Sequence, residues 1–293
     1  MKASPLDQWS DWLLHRRFGG DPQQMRSVVA QLAPIRDTVL HHAALAEGET
    51  LLDVGCGDGL IAFGALDTTT TSQVIFSDIS EDILDHAQTL AEQMQLLHRC
   101  RFLRAAADDL DALPDAAVDV VTTRSVLIYV AAKQQAFDEF WRVLKPGGRL
   151  SIFEPINRMF YPEPAQLYRG YDVTPVQQLA EKVKATYQRI QPPATSPLLD
   201  FDERDLLVFA ERAGFSAIDL ELKVTITPLA DDLPWATFLR IAPNPLAPTL
   251  EETMQQALTP AEAEQFSGHL RPLVEAKRGI RKSAVAYLWA VKS

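Results

Sequence analysis

The sequence predicts an α/β fold in which helices cover both faces of a parallel sheet, and three observations carry that prediction. Short apolar runs alternate with helix-period segments from Leu51 onward. Most of these runs are continuously apolar rather than alternating, as suits strands buried on both faces. A glycine-rich turn, Gly55-Cys56-Gly57-Asp58-Gly59, joins the first run directly to a helical segment.

Before Leu51, the apolar positions Trp9, Trp12, Leu13, Met25, Val28, Val29 and Leu32 predict an N-terminal helical cap over residues 1–48. Leu51–Val54 is the first expected strand and Val74–Ser77 the second. Ser80 then caps a helix whose apolar face is Ile83, Leu84, Ala87, Leu90, Ala91 and Met94. Arg101–Arg104 is a weak third strand and Val118–Thr122 a fourth. Phe137, Phe140, Trp141 and Leu144 form a helix face that Lys145-Pro146-Gly147-Gly148 stops, and Leu150–Phe153 is the fifth strand. A helix from about Glu203 to Ala213 ends at Gly214, a residue that tolerates a left-handed cap. Ile218–Thr227 and Ala284–Val291 are the final strands. Two stretches break the alternation, at about 157–197 and 235–282. Each holds an expected capping box, Thr174-Pro175-Val176-Gln177 and Thr259-Pro260-Ala261-Glu262. They read as helical insertions in one domain over residues 49–293.

Of the 293 residues, 47% are hydrophobic and 23% charged, which excludes a disordered or collagen-like chain. The net charge of −11 argues against a nucleic-acid partner, whose phosphates are neutralised by Lys and Arg. The basic stretch from His269 onward reads as a solvated helix face. Two cysteines, Cys56 and Cys100, are too few for a disulfide framework or a cysteine metal site, and the histidines show no ligand spacing, so no metal is expected. The first ten residues carry Asp7 and no apolar core of a secretory signal. The apolar run Val126–Ala132 is far short of the ~20 residues that span a bilayer. No membrane partner and a cytoplasmic setting are therefore expected; the sequence carries no signal for an oligomeric state.

The glycine turn is the sharpest feature. A dinucleotide fingerprint wants G-x-G-x-x-G, but Leu60 fills the third glycine's slot and Gly59 comes one position early. The stretch Asp53-Val54-Gly55-Cys56-Gly57-Asp58-Gly59 instead resembles the D-x-G-x-G-x-G of class I S-adenosylmethionine-dependent methyltransferases. Asp109-Leu110-Asp111-Ala112-Leu113-Pro114 is similar to the family's D-A-x-x-L-P, with Leu110 where the family often has Ala. Asp119-Val120-Val121 with Val126–Val130, and Leu144-Lys145-Pro146-Gly147-Gly148-Arg149-Leu150, resemble its later segments, so that the likeness covers roughly Leu51 to Pro155.

The resemblance implies a Rossmann-like seven-stranded methyltransferase sheet ending in an antiparallel hairpin. It also implies that the N-terminal helices and the insertions cover the acceptor site. S-adenosyl-L-methionine is the implied cofactor and a small molecule the implied acceptor at O, N or C, in the branch that includes quinone-biosynthesis C-methyltransferases. The competing readings are a methyltransferase of protein or RNA, and a non-catalytic binding protein of the same fold.

Gly55, Gly57 and Gly59 are the expected cofactor loop. Cys56 lies within it and also reads as a small hydrophobe. Asp53 orients the loop or the methionyl ammonium, or makes a purely structural hydrogen bond. Asp78, at the end of the second strand, is placed to accept ribose hydroxyls, and Ile79 packs on the adenine or in the core. Asp109, with Leu110, is the adenine-side pair. Arg124 pairs with the cofactor's carboxylate or with one of the acids nearby. Glu154, at the carboxyl end of the fifth strand, is the candidate general base or acceptor-orienting carboxylate, with a structural ion pair as the alternative.

Overall fold

Valine, isoleucine, leucine and phenylalanine are buried in the central strand segments, at Leu51, Leu52, Val74, Ile75, Phe76, Val120, Val121, Leu150 and Ile152, whereas Val224 and Ile226 in a later strand segment are exposed. A computed structural model describes residues 6–293; Met1 to Pro5 of the expected cap lie outside the described residues. Five strands come first: β1 (Thr50–Val54), β2 (Gln73–Asp78), β3 (Cys100–Arg104), β4 (Val118–Arg124) and β5 (Leu144–Pro155). After them come the two-residue strands β6 (Leu167–Tyr168) and β7 (Tyr171–Asp172), then the long β8 (Phe215–Pro228) and β9 (Ile280–Lys292). One sheet of seven strands runs in the order β3-β2-β1-β4-β5-β9-β8. The pairs among β1 to β5 are parallel, and β9 lies antiparallel to β5, with Glu154 opposite Ala286.

Among the described residues, α1 (Gln8–Asp11) and α2 (Pro22–Ala43) come first. The helices α3 (Leu60–Thr68), α4 (Glu81–Gln93) and α5 (Lys133–Val143) follow β1, β2 and β4. Later come α6 (Gln177–Ile190), α7 (Glu203–Ala213), α8 (Trp235–Arg240), α9 (Leu250–Ala257) and α10 (Pro260–Glu275). Ser80 caps α4 as expected, accepting from the Ile83 amide at 3.1 Å. Gly214, at φ 99°, ends α7. Thr259 forms its box, whereas Thr174 does not. A 3-10 turn occupies Thr174–Val176, and the Thr174 amide and hydroxyl both go to Asp172 instead. The helix stop at Lys145–Gly148 lies inside β5, where the pairing register shifts. Gly147, at φ 77°, lets the strand accommodate that bulge.

The described chain divides into two compact units. The sheet unit comprises residues 31–156, 201–223 and 285–293. One of its clusters packs Leu51, Val74, Phe76 and Val120 against Ala62, Ala65 and Ala87, small residues that let α3 and α4 lie close to the strands. Another joins Val39, Ile61, Phe153 and Tyr287. Arg149 on β5 donates to the Ala43 carbonyl at 2.9 Å, placing a cation at the C-terminus of α2 where the helix dipole favours one.

The helical unit comprises residues 6–30, 157–200 and 224–284. Its core is Tyr168, Val173, Val183, Phe238, Leu250, Phe266 and Leu270, with neighbours of the same kind. The sequence reading put a cap at residues 1–48 and two insertions inside one domain. The boundary between the two units falls within α2, between Ala30 and Gln31, and residues 6–30 share a unit with 157–200 and 224–284. The basic stretch is a solvated helix face at its start, on α10, and then runs on into β9. Arg271 pairs with Glu275 at 2.8 Å, and Lys292 is buried, donating to the carbonyls of Trp141 and Leu144 at 2.7 Å each.

Candidate functional site

The order β3-β2-β1-β4-β5 reverses direction beside β1, so the turn after β1 opens at the topological switch point where open α/β sheets bind ligands. Gly55, Gly57 and Gly59 stand at φ 64°, 54° and 78°, left-handed values that side chains disfavour. At Gly55 an added Cβ would come within 2.4 Å of Val126 Cγ2, and at Gly59 within 2.5 Å of the Phe63 ring. The amide of Cys56 donates to the Ser77 carbonyl at 2.9 Å, stitching the turn to β2. The Cys56 side chain is buried and its thiol is pushed up by burial, then by Asp78, Asp53 and Asp58. It is a small hydrophobe that fills the loop.

Three expected carboxylates meet backbone here. Asp53 is 2% exposed; it accepts from the Thr122 hydroxyl at 2.9 Å and from the Ala62 amide at 3.2 Å, in the first turn of α3. Burial pushes its carboxyl up to about 7, against the pull of Thr122 and Arg124. Asp78 accepts from the Gly57 amide at 3.1 Å and the Ser80 amide at 3.0 Å. It therefore ties the end of β2 to the glycine turn. Ile79 beside it is 42% exposed, free of the core and open to a flat apolar partner.

Glu154 has no exposed surface. Its Oε1 accepts from the amides of Val126 and Leu127 at 2.9 and 3.0 Å, and its Oε2 from that of Ile128 at 3.3 Å. Burial raises its carboxyl to about 7, while the three amides and Lys133 oppose that rise. The same segment presses Val126 against Gly55. Ser125 just before it sits at φ 58°, a strained value for a residue with a side chain. Arg124, at the end of β4, is half-buried and makes no ion pair among the described residues.

Asp109 is exposed in the turn after β3, and its carboxylate accepts weakly from the Asp111 amide at 3.4 Å. Leu110 is a correction. Its side chain is fully buried, its amide donates to Glu139 at 2.8 Å and its carbonyl accepts from Arg142 at 3.0 Å. It is a core residue with no polar group left for a ligand.

Sequence reasoning missed Asp58, Ser77 and Thr123. Asp58 Oδ1, Ser77 Oγ and Thr123 Oγ1 are buried without a hydrogen-bond partner among the described residues. Ser77 and Thr123 flank Val54 in register on either side, and Asp58 lies in the turn itself. Orphaned polar atoms around a cradle that any Cβ would fill are what a polar ligand satisfies. Asp58 was visible as the polar residue between two glycines; the hydroxyls carried no signal. No cluster of His, Cys, Asp and Glu suited to a metal occurs among the described residues. His42 instead stacks on Trp289 at 3.8 Å between ring centroids.

A family of methyltransferase domains matches residues 52–152. The ubiquinone/menaquinone biosynthesis C-methyltransferase of Escherichia fergusonii is 27% identical over 179 residues, 60% of this chain and 70% of that protein. The same enzyme of Citrobacter koseri matches with the same figures. Among solved structures, YcgJ of Bacillus subtilis superposes with a TM-score of 0.54 at 15% identity, covering 88% of this chain and 97% of that one. The [4+2]-cyclase SpnF superposes at 0.52 with 23% identity, covering 89% and 80%. Both likenesses concern the fold, and the cyclase shows that this fold hosts more than one chemistry.

Proposed function

We propose that this class I S-adenosylmethionine-dependent methyltransferase delivers its methyl group to a carbon atom of a small molecule. The observation that carries the reading is the unbroken turn Asp53–Gly59, folded as a left-handed cradle with Asp78 bonded into it. The C-methyltransferase relatives support carbon as the atom methylated.

The residues fit the cofactor. Asp78 would take the ribose hydroxyls, Ile79 the adenine face and Asp109 its amino edge. Arg124, with no acid paired to it, would take the methionine carboxylate, and Asp58 and the Ser77 and Thr123 hydroxyls would find partners. The sulfonium supplies a methyl group that is already activated. What remains for the chain is placement, and holding reactants in near-attack geometry contributes ~7–11 kcal/mol.

Glu154 then acts as a positioning residue rather than a base. Both its oxygens are engaged by backbone amides, so the carboxylate sets the turn that carries Val126 against the glycine cradle. Catalysis at this centre rests on proximity. No helix of the described residues is long and apolar enough to cross a membrane. With the acidic balance, we place the enzyme in the cytoplasm with no nucleic-acid partner.

The test is turnover. The protein with S-adenosylmethionine and a panel of phenols, quinols, amines and carboxylic acids should release S-adenosylhomocysteine with at least one member, and mass spectrometry should place the new methyl on carbon. A protein that binds neither cofactor form in calorimetry would overturn the assignment; methylation at O or N alone would overturn the choice of carbon.

A further inference from the structure

The helical unit holds a pocket of about 570 Å3, within the range of small-molecule sites. Much of its wall is apolar, including Phe160, Leu229, Leu233 and Phe238, and Arg169, Arg281 and Lys282 line it as well. The acids in the same wall are already committed. Asp231 pairs with Arg281. Glu163 accepts from the amides of Arg169 and Gly170 at 3.1 and 2.8 Å and lies 3.7 Å from Lys184. Arg169 and Lys282 have no acid paired to them among the described residues.

Arg169 is also held at a cost. With Gly170 it forms the two-residue turn between β6 and β7, both at positive φ, 50° and 84°. Such turns favour Asn-Gly, and a residue with a Cβ in the left-handed region costs about 1–2 kcal/mol. Gly170 is fixed because an added Cβ would meet the Ile280 carbonyl oxygen at 2.0 Å. The guanidinium lies 5.5 Å from the Phe238 ring centroid, 5.6 Å from Tyr168 and 5.9 Å from Tyr187. Of its five N–H donors, one reaches a partner among the described residues, the Tyr187 hydroxyl at 3.2 Å. A forked cation clamped by rings, with donors unspent and an apolar wall alongside, matches a carboxylate on a hydrophobic body.

We infer that this pocket binds a small organic carboxylate, its anion on Arg169 and its apolar body along Phe238 and Leu233, with Lys282 adding charge. The inference stands apart from methyl transfer, since binding is measured without the cofactor. 3-Phenylpropanoate is the probe and its uncharged amide, 3-phenylpropanamide, the control, both titrated into the whole protein by calorimetry. The carboxylate should bind with a Kd of about 1 mM or tighter, and the amide at least about ten-fold more weakly. Arg169→Asn keeps a residue suited to the left-handed turn; it should fold and lose carboxylate affinity about ten-fold or more, with a smaller loss for Lys282→Gln. No binding of the carboxylate, equal binding of the amide, or full affinity in a folded Arg169→Asn protein would overturn the site. Adding S-adenosylmethionine then separates its two sources: a methylated probe makes it an acceptor, an unchanged one an occupant in its own right, and both leave the site standing.

Discussion

At the carboxyl ends of β1, β2 and β5, Asp53, Asp78 and Glu154 all accept backbone amides. In the helical unit, the guanidinium of Arg169 lines a pocket with one hydroxyl as its hydrogen-bond partner. The sheet unit uses acids to hold its chain in shape around a cradle; the helical unit uses an acid, Glu163, to hold a turn that presents a cation. In the first region the hydrogen bonds to the carboxyl groups are structure, and removing the group costs folding. In the second the cation packs on three rings and donates one bond, so on the proposal above its removal should cost binding more than folding.

The largest effect that would break this contrast is at Glu154. Glu154→Ala strands three buried amides at roughly 1–3 kcal/mol each, so thermal denaturation should show a loss of several kcal/mol with cofactor affinity falling alongside. Glu154→Gln keeps an oxygen for Val126 and Leu127 and should lose less. A Gln variant with native stability and native cofactor affinity but no turnover would return Glu154 to a catalytic role. Next is Asp78→Ala, which should weaken S-adenosylhomocysteine binding by about 1.5–3 kcal/mol in calorimetry, with a smaller change in melting temperature.

Gly55→Ala should weaken the cofactor by roughly 1–2 kcal/mol, because the new methyl adds left-handed strain to its clash with Val126. Val126→Ala in the same chain should recover part of the loss, which double-mutant analysis would show as coupling. pH gives a subtler check. The carboxyls of Asp53 and Glu154 are raised by burial from ordinary values of 3.8 and 4.5 to about 7. The folded state therefore holds protons that the unfolded chain has released, so these groups' contribution to stability is full below pH 3.8 and falls as pH rises towards 7 and through it. The Gln variant should flatten that slope in denaturant titrations. The smallest effect belongs to Arg169→Asn, whose stability should change by less than about 1 kcal/mol because Asn suits the turn. A large loss there would make the cation structural and erase the contrast.

What the sequence disclosed follows the same division. The central strands were legible because they are short, mostly apolar runs, and β3 was weak because its apolar pair Phe102-Leu103 lies between two arginines. The cradle was legible because its glycines and Asp53 lie within seven consecutive residues. Asp78 followed from its place at a strand end. Glu154's role was hidden because its amide partners lie 26 to 28 residues away in the chain, and no local pattern marks a carboxylate as an acceptor for them. Leu110 was misread because a motif position says nothing of burial; Glu139 and Arg142 take its backbone groups. The Arg169 pocket left no trace, since its wall comes from three separate stretches around residues 159–171, 229–238 and 280–282. Thr174 looked like a helix cap until Asp172, two residues earlier, competed for it.

The strand order carries one more consequence, for synthesis. β9 is made after every other strand, yet it lies between β5 and β8 rather than at an edge. Until residues 285–291 leave the ribosome, β5 presents an unpaired flank from Arg149 to Pro155, open to the wrong partner. The cradle, Asp78, Arg124 and Glu154 all precede that moment. The flank that β5 offers is therefore closed only by the last of the described strands, after every residue of the cradle has been made.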